Sequence, residues 1–233
     1  MKKHYSLFIL ILSIIYSCAP TRYVKPLEKG EHAINTHLGG PITKVPGIGS
    51  IPLPYTSIGY GYGLKENTTI FANLYTTSLL FGVSQIDIGA TYQPWKADRM
   101  GLTLQPNLNI LIDLYTGANR FWPQLDANYY YDYLIYKSKA LEGHNPKRMN
   151  SIYTGLSNWF DPYPTESQGR KNEQFWIPSI QVGHLWGRIH WDFQLELKVL
   201  APIYSNKNIV VDYPSLLGSY GALGGYFGIH YKF

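Results

Sequence analysis

The chain has 233 residues, and aromatic residues are as frequent as charged ones, at 15% each. Soluble domains carry about a quarter charged residues, so this composition disfavours an ordinary soluble domain. The net charge of +5 falls to +3 once Lys2 and Lys3 are removed with a leader peptide. That charge is too mild for nucleic-acid binding, and no basic patch is interleaved with aromatic residues, so nucleic acid is excluded as a partner.

The N-terminus has the proportions of a secretory signal peptide over residues 1–17. A basic start precedes the apolar residues 5–16, which are too few to span a membrane as a helix. Residues 15–18, Ile-Tyr-Ser-Cys, resemble the lipoprotein box of bacterial lipoproteins. That resemblance implies a lipid on Cys18, and Ala19 after it implies sorting to the outer membrane. The alternative is a plain signal peptide followed by an incidental cysteine.

Residues 18–30 are a polar, proline-containing stretch. We predict that this lipid-anchored lead-in connects Cys18 to the first strand. Residues 31–233 are predicted to form a single β-domain, because strand-like alternation continues to the last residue.

Ten segments alternate apolar and polar residues with a period of two, which predicts strands with two unlike faces. In the clearest of them, Leu195 and Leu197 alternate with Glu196 and Lys198. Eight strands remain an alternative if two weaker segments are loops. The ten segments are residues 31–40, 53–64, 68–77, 82–93, 100–112, 124–136, 150–160, 174–186, 189–199 and 221–233.

The connections between these segments alternate between short and long. Short turns are predicted at 65–67, 95–99 and 187–188, and long loops at 41–52, 113–123, 161–173 and 200–217. Two connections depart from the pattern, since 78–81 is short and 138–149 is long. Short periplasmic turns and long extracellular loops are typical of outer-membrane barrels. An even number of strands puts both termini on the periplasmic side, in agreement with an anchor at Cys18.

The last nine residues, Gly-Tyr-Phe-Gly-Ile-His-Tyr-Lys-Phe, resemble the terminal signature of outer-membrane β-barrel proteins of Gram-negative bacteria. The resemblance implies that Tyr231 and Phe233 form a C-terminal signal for the barrel-assembly machinery. It also implies the cell outer membrane as location and its lipids as surroundings. Tryptophans near strand ends are predicted to form the two aromatic girdles of such a barrel: Trp95, Trp122, Trp159, Trp176, Trp186 and Trp191.

The predicted fold class is therefore all-β, an antiparallel up-and-down transmembrane β-barrel of about ten strands. Periodicity alone does not say which face points outward. A soluble calycin-like barrel alternates in the same way with its apolar face inward, and such a periplasmic lipoprotein would bind an apolar ligand. The girdle, the hydrogen-bonding polar face and the C-terminal signature favour the membrane barrel.

The candidate chemistry lies on the inward face of the last two strands. A lumenal polar network is predicted from His190, Asp192, Glu196, Lys198, His230 and Lys232. It is interpreted as a self-paired network that fills the barrel, and the alternative is the His/acid site of an outer-membrane hydrolase. No histidine and acid pair has metal-ligand spacing, so neither a metal nor a cofactor is predicted.

A second inward acidic set is predicted from Asp87, Asp126 and Asp132, whereas Asp113 and Asp161 are interpreted as turn residues. Ten strands enclose a narrow lumen, so bulk porin activity is not expected. The leading hypothesis is a non-enzymatic barrel with a structural or interaction role. It would act through loops 41–52, 161–173 and 200–217, with an envelope protein complex as partner.

Overall fold

The computed structural model describes residues 20–45, 47, 49–137, 147–165, 171–207 and 212–233, so the predicted signal peptide and Cys18 lie outside the described residues. No helix in these ranges is long and apolar enough to cross a bilayer. The elements are β1 His32–Val45, β2 Gly49–Pro52, β3 Thr56–Lys65, β4 Thr68–Tyr75, α1 Thr76–Leu80, β5 Val83–Lys96, β6 Met100–Asp113, β7 Asn119–Lys137, β8 Lys147–Phe160, β9 Trp176–Gly187, β10 Trp191–Ser205 and β11 Tyr220–Lys232.

Ten of these strands form a closed antiparallel barrel in chain order. The barrel closes between β1 and β11, with pairs running from Ala33 opposite Lys232 to Pro41 opposite Gly224. The short strand β2 pairs only with the far part of β1, from Ile42 to Val45, and extends that hairpin beyond the barrel. The predicted ten-strand, all-β barrel is therefore confirmed.

The two ends of the barrel differ. At the terminus end, where β1 begins and β11 ends, the turns 66–67, 97–99 and 188–190 are short. His32 and Phe233 exchange two backbone hydrogen bonds of 3.0 and 2.9 Å there, which ties the two ends of the barrel together. At the opposite loop end, strands β8 and β9 are separated by residues 161–175 and strands β10 and β11 by residues 206–219.

Three predicted loops are partly strand, so those predictions were too long. β1 continues to Val45, β7 begins at Asn119, and β10 continues to Ser205. Alternation in the sequence indicates a strand only where the two faces of the strand lie in different surroundings. The backbone hydrogen bonds between strands continue beyond that point, where both faces are polar. The short connection at 78–81 contains part of α1, and the long one at 138–149 falls largely outside the described residues.

The apolar faces of the barrel strands point outward. Leu195 is 47% exposed and Ile88 is 51% exposed, while their neighbours Glu196 and Asp87 are 1% and 2% exposed. The same alternation runs around the wall, with outward Ile34, Ile58, Ile70, Leu108, Leu125, Ile152, Ile180 and Phe227. This contradicts the calycin-like alternative, because its apolar face would line the interior.

The tryptophans divide between the two faces. Trp95 and Trp191 are exposed near the terminus end and Trp176 near the loop end, as a girdle requires. Trp122 and Trp159 instead point inward and contact each other, with ring centroids 5.9 Å apart. Their place in the predicted girdle was wrong, because they share the parity of the inward-facing polar residues on their strands.

Candidate functional site

The inner surface of the barrel is polar around its whole circumference. Every barrel strand contributes at least one buried polar side chain, and buried polar groups are nearly always hydrogen-bonded. One such residue from each strand, in chain order, is Asn35, Ser57, Asn73, Asp87, Gln105, Asn128, Ser151, Gln181, Gln194 and His230. These buried polar groups therefore need hydrogen-bond partners inside the lumen.

The lumen is occupied by residues 21–27, which we call the lumen plug. Thr21, Arg22, Tyr23 and Val24 are buried inside the barrel, and the plug is not part of the sheet described here. Residues 18–30 were predicted to connect an anchor to the first strand, and the structure adds that residues 21–27 of this stretch lie in the lumen. The physical reason is that the polar lumen needs charges and hydrogen-bonding groups that this stretch provides.

The barrel wall binds the backbone of the plug at several points. Glutamine and threonine side chains donate to plug carbonyls, and acceptors on the wall take two plug N–H groups. The contacts are Gln194 Nε2 to Thr21 O (3.0 Å), Gln105 Nε2 to Tyr23 O, Thr103 Oγ1 to Val24 O (3.0 Å), Thr21 N to Glu196 Oε1 (3.2 Å) and Leu27 N to Thr69 Oγ1 (2.7 Å).

Glycines on β3 provide the space in which the plug lies. A Cβ atom at Gly61 would overlap the hydroxyl of Tyr23, and one at Gly63 would overlap the carbonyl oxygen of Glu28. Gly30 also donates its backbone N–H to Gly63 O at 2.7 Å, where the chain leaves the lumen towards β1. Only a residue without a side chain fits at these two wall positions.

The first charge centre of the lumen is the ion pair between Arg22 and Asp87. Both Nε, at 3.1 Å, and Nη2 of Arg22 donate to Oδ2 of Asp87. Asn73 Nδ2 donates to the other carboxylate oxygen at 2.5 Å, and Arg22 Nη1 donates to Ser57 Oγ at 2.9 Å. The buried pair is hydrogen-bonded to Ser57 on β3 and Asn73 on β4, and Asp87 itself lies on β5. It therefore holds the plug against these three strands.

Two buried histidines extend this centre towards β11. Arg22 Nη1 lies 3.1 Å from His37 Nδ1, and His37 Nε2 lies 3.3 Å from His230 Nε2. Because a guanidinium only donates, His37 Nδ1 accepts, and in the neutral ring the proton is then on Nε2. His37 Nε2 therefore donates to His230 Nε2, and a neutral His230 carries its own proton on Nδ1.

The second charge centre joins Lys25 to Asp132 near the terminus end. Lys25 Nζ also donates to Ser151 Oγ at 2.9 Å and lies 4.5 Å from the centre of the Tyr130 ring. Ser151 Oγ donates to the same carboxylate oxygen of Asp132 at 2.6 Å. The plug thus places its two cations, three residues apart, on two different inward-facing aspartates.

The third charge centre lies on β10 and receives the first residue of the plug. Lys198 Nζ is 3.3 Å from Glu196 Oε1, with both side chains at most 2% exposed. Tyr153 donates its hydroxyl to Glu196 Oε2 at 2.7 Å, and the backbone N–H of Thr21 donates to the same carboxylate. The Glu196 charge is therefore neutralised by the wall itself, with the plug adding one hydrogen bond.

The predicted lumenal network of six residues is divided among separate places. Glu196 and Lys198 form the third centre, and His230 contacts His37. Asp192 and Lys232 form an ion pair of 2.8 Å near the terminus end. His190 is exposed in the β9–β10 turn, where its ring lies against the backbone of Lys232, and it lines a cavity at the terminus end together with Asp192, His230 and Lys232.

The second predicted acidic set also does not come together as one site. Asp87 and Asp132 each bind a different plug cation, and Asp126 accepts hydrogen bonds of 2.9 and 3.0 Å from Gln124 Nε2. Asp113 and Asp161 accept backbone N–H groups two residues further on, as turn residues do. Among the described residues no three His, Cys, Asp or Glu side chains are grouped as a metal site requires.

A cavity of about 560 Å³ lies between the plug and the terminus end. Its lining includes Lys25, Glu31, Arg188, Asp192 and Lys232, so it carries charges of both signs. Partial burial raises the pKa of the Glu31 carboxyl, against the backbone hydrogen bond from Glu28 and the charge of Lys232. The plug therefore leaves part of the lumen unfilled at the terminus end.

At the loop end, an apolar cluster follows the polar lumen. Trp122, Trp159 and Ile177 pack together inside the wall, with Leu111, Ala201 and Tyr204 against them. Tyr163, from the β8–β9 connection, adds an edge contact to Trp122 with centroids 6.3 Å apart. Apolar side chains therefore occupy part of the lumen beyond the plug.

The residues that sequence reasoning missed are those of the plug, above all Arg22, Tyr23 and Lys25. Their signal was indirect. Asp87 and Asp132 were predicted to face inward without a cation on a neighbouring strand, and buried carboxylates require a partner. Arg22 and Lys25 lie in the stretch before the first predicted strand and had no partner assigned.

No protein-family model matches this chain, and no curated protein matches it. Solved structures with a similar fold include LpxR from Salmonella typhimurium, with 8% identity, a TM-score of 0.40, and coverage of 86% of this chain and 99% of that one. The translocator domain of the autotransporter NalP from Neisseria meningitidis is 12% identical, with a TM-score of 0.38 and coverage of 100% and 95%.

Ail, the attachment invasion locus protein of Yersinia pestis, is 9% identical, with a TM-score of 0.28 and coverage of 88% of this chain and 99% of that one. Identities and TM-scores at this level carry no argument about activity.

Proposed function

We propose that this protein is a non-enzymatic outer-membrane β-barrel whose lumen is closed by its own N-terminal segment. The observation that carries the proposal is the pairing of an apolar outer face with a polar interior occupied by residues 21–27. A water-soluble barrel has the opposite arrangement, because water surrounds it and its core must be apolar.

The outer face supports a location in lipid. Outward apolar side chains recur on all ten barrel strands, from Ile34 on β1 to Phe227 on β11. Soluble monomers rarely expose contiguous apolar patches larger than a few hundred Å². The closed ladder also satisfies the backbone groups of the wall without water, as a span through hydrocarbon requires. The exposed Tyr231 and Phe233 are accessible for the proposed recognition by the barrel-assembly machinery.

The filled lumen supports a role other than bulk transport. The plug neutralises Asp87 and Asp132, and the apolar Trp122 cluster follows it towards the loop end. We therefore assign the interaction role to the loop end, where Leu80, Tyr115 and Leu216 are 83%, 79% and 72% exposed. Large exposed apolar side chains of this kind fit contact with another envelope protein.

The arrangement of the histidines supports the non-enzymatic part of the proposal. His190 and Asp192, the residues of the hydrolase alternative, do not contact each other in the described hydrogen bonds, and Asp192 is paired with Lys232. His37 and His230 are buried behind the plug. His230 also lines the cavity at the terminus end, whereas a substrate would have to displace Arg22 to reach His37.

Heat-modifiability tests the membrane part of this proposal. Detergent-extracted protein from an envelope fraction should migrate differently on a gel before and after boiling, because folded membrane barrels resist the detergent when cold. It should also stay with the membrane during an alkaline wash. Release by alkali without a mobility shift would place the barrel in water and overturn the proposal. In planar bilayers the wild-type protein should show no steady open conductance.

A further inference from the structure

The contacts of the plug are those of a bound peptide. Wall side chains bind its backbone carbonyls at Thr21, Tyr23 and Val24 and its N–H groups at Thr21 and Leu27. Separate positions recognise its side chains, with Asp87 for an arginine and Asp132 for a lysine three residues later. Proteins recognise peptides by combining main-chain hydrogen bonds with positions that select particular side chains.

The wall is complete without the plug. All ten strands pair with two neighbours, and the closing register between β1 and β11 does not involve residues 21–27. The contacts between plug and wall are mainly ion pairs and hydrogen bonds, which water or another peptide can replace. The apolar contacts are few, chiefly Tyr23 and Leu27 with Phe71, and Val24 with Tyr130 and Tyr153.

The plug also has an exit. Residues 28–30 are exposed at the terminus end, next to the 560 Å³ cavity. Gly30 adopts a φ of 82°, a conformation that glycine tolerates, at the point where the chain turns from the plug into β1. The plug is thus connected to the wall through one short, exposed segment.

From these observations we propose that the lumen is a binding site for a short basic peptide with arginine and lysine three residues apart. In this structure the chain's own residues 21–27 occupy it. A peptide with the same pattern binds in trans when that segment is withdrawn. The inference concerns the wall alone, so it does not depend on the partner assigned to the loop end.

The test uses the full chain, folded with its plug in place. A specific protease site is inserted between Lys29 and Gly30, both exposed, and is cut after folding so that the plug is no longer covalently attached. A labelled synthetic peptide of residues 19–29 is then added, and its association with the folded barrel is measured. The matched control is the same peptide with Arg22→Glu and Lys25→Glu.

We expect the labelled peptide to replace the released plug, and the charge-reversed peptide to bind at least about tenfold more weakly, because each glutamate would face a buried aspartate. Equal uptake of both peptides would overturn the proposal. So would a folded, cleaved barrel that takes up neither.

A charge swap in the wall distinguishes specific recognition from general affinity for a cleaved barrel. In a cleaved Asp87→Arg variant, the peptide carrying only Arg22→Glu should bind more tightly than the unmodified peptide. If the order of the two affinities is the same as in the cleaved parent, Asp87 does not select the arginine and the assigned site is wrong. Mobility before boiling shows that each variant has folded.

Discussion

Arg22 donates through two nitrogen atoms to a single carboxylate oxygen of Asp87, a residue 65 positions later in the chain. Their side chains are 2% and 3% exposed, so neither charge is solvated by bulk water. The pair joins the plug to β5 through the only arginine of the plug. Its contribution to the stability of the plugged barrel can be measured by substitution.

Replacing Arg22 by methionine should lower the free energy of unfolding by about 3–5 kcal/mol, because it leaves Asp87 buried without its cation. The measurement is denaturant unfolding of the detergent-solubilised or lipid-reconstituted barrel. The control is Lys44→Met, since the Lys44–Asp212 pair of 3.0 Å has side chains that are 56% and 68% exposed. That pair should contribute less than about 1 kcal/mol. Equal effects of the two substitutions would contradict the role of Arg22.

The outer face can be tested at Leu195, which is 47% exposed on β10. Leu195→Arg should destabilise the barrel in a lipid bilayer by about 2–4 kcal/mol near the midplane. Leu216→Arg, in the β10–β11 connection outside the wall, should have little effect. Because Leu195 points outward, a barrel surrounded by water would tolerate both arginines alike, and that result would contradict the membrane location.

The inward neighbour Gln194 is a less tolerant position than periodicity suggests. Alternation alone predicts that a polar lumen accepts Gln194→Arg mildly. The structure shows Gln194 1% exposed, with Nε2 donating to Thr21 O at 3.0 Å and to Tyr153 at 2.8 Å. We therefore expect Gln194→Arg to cost about 1–3 kcal/mol through overpacking. The measurement is denaturant unfolding of Gln194→Arg and of Gln194→Met, which keeps the side-chain length. The difference between the two variants separates the cost of overpacking from the cost of the lost hydrogen bonds.

Gly61→Val should displace the plug and leave the wall folded. The added Cβ overlaps the hydroxyl of Tyr23, whereas valine itself suits a strand. Trypsin should then cut after Arg22 while the barrel keeps its heat-dependent mobility; Lys25 is not a cleavage site, because Pro26 follows it. Gly225→Val is the matched control, since a Cβ there meets only Leu197 at 3.9 Å. Protection of the plug in both variants would show that the lumen has more room than the structure indicates.

Lipidation at Cys18, which the sequence predicts, should exclude the plugged state. Thr21 is the third residue after Cys18, so their Cα atoms are at most about 11 Å apart. Glu196, which binds Thr21, is five residues along β10 from Trp191, about 16 Å at the usual rise per residue. A lipid outside the wall therefore requires Thr21 to leave the lumen.

A thiol at position 24 reports which state is present. With Val24→Cys, a lipidated chain should react with a maleimide, because its plug is outside the barrel. The same substitution combined with Cys18→Ala should be protected, since Val24 is 2% exposed in the plugged lumen. Incorporation of labelled palmitate identifies the lipidated chain. A lipidated protein with a protected thiol would contradict the argument from chain length.

Much of this protein could be read from its sequence. The alternation of Leu195 and Leu197 with Glu196 and Lys198 is local, because successive side chains of a strand point to opposite faces. Such patterns determined the ten strands, their order and the two faces of each. The same parity would have placed Trp122 inward with Gln124 and Asp126, had it been applied to the strand end.

Only the tertiary structure decided what fills the lumen. The plug has no periodicity of its own, and its partners Asp87, Asp132 and Glu196 lie on β5, β7 and β10, which meet around it only when the barrel closes. Closure also brought His37 to His230, 193 residues apart. Local alternation fixes which way a side chain points, whereas its partner across the lumen depends on how all ten strands close.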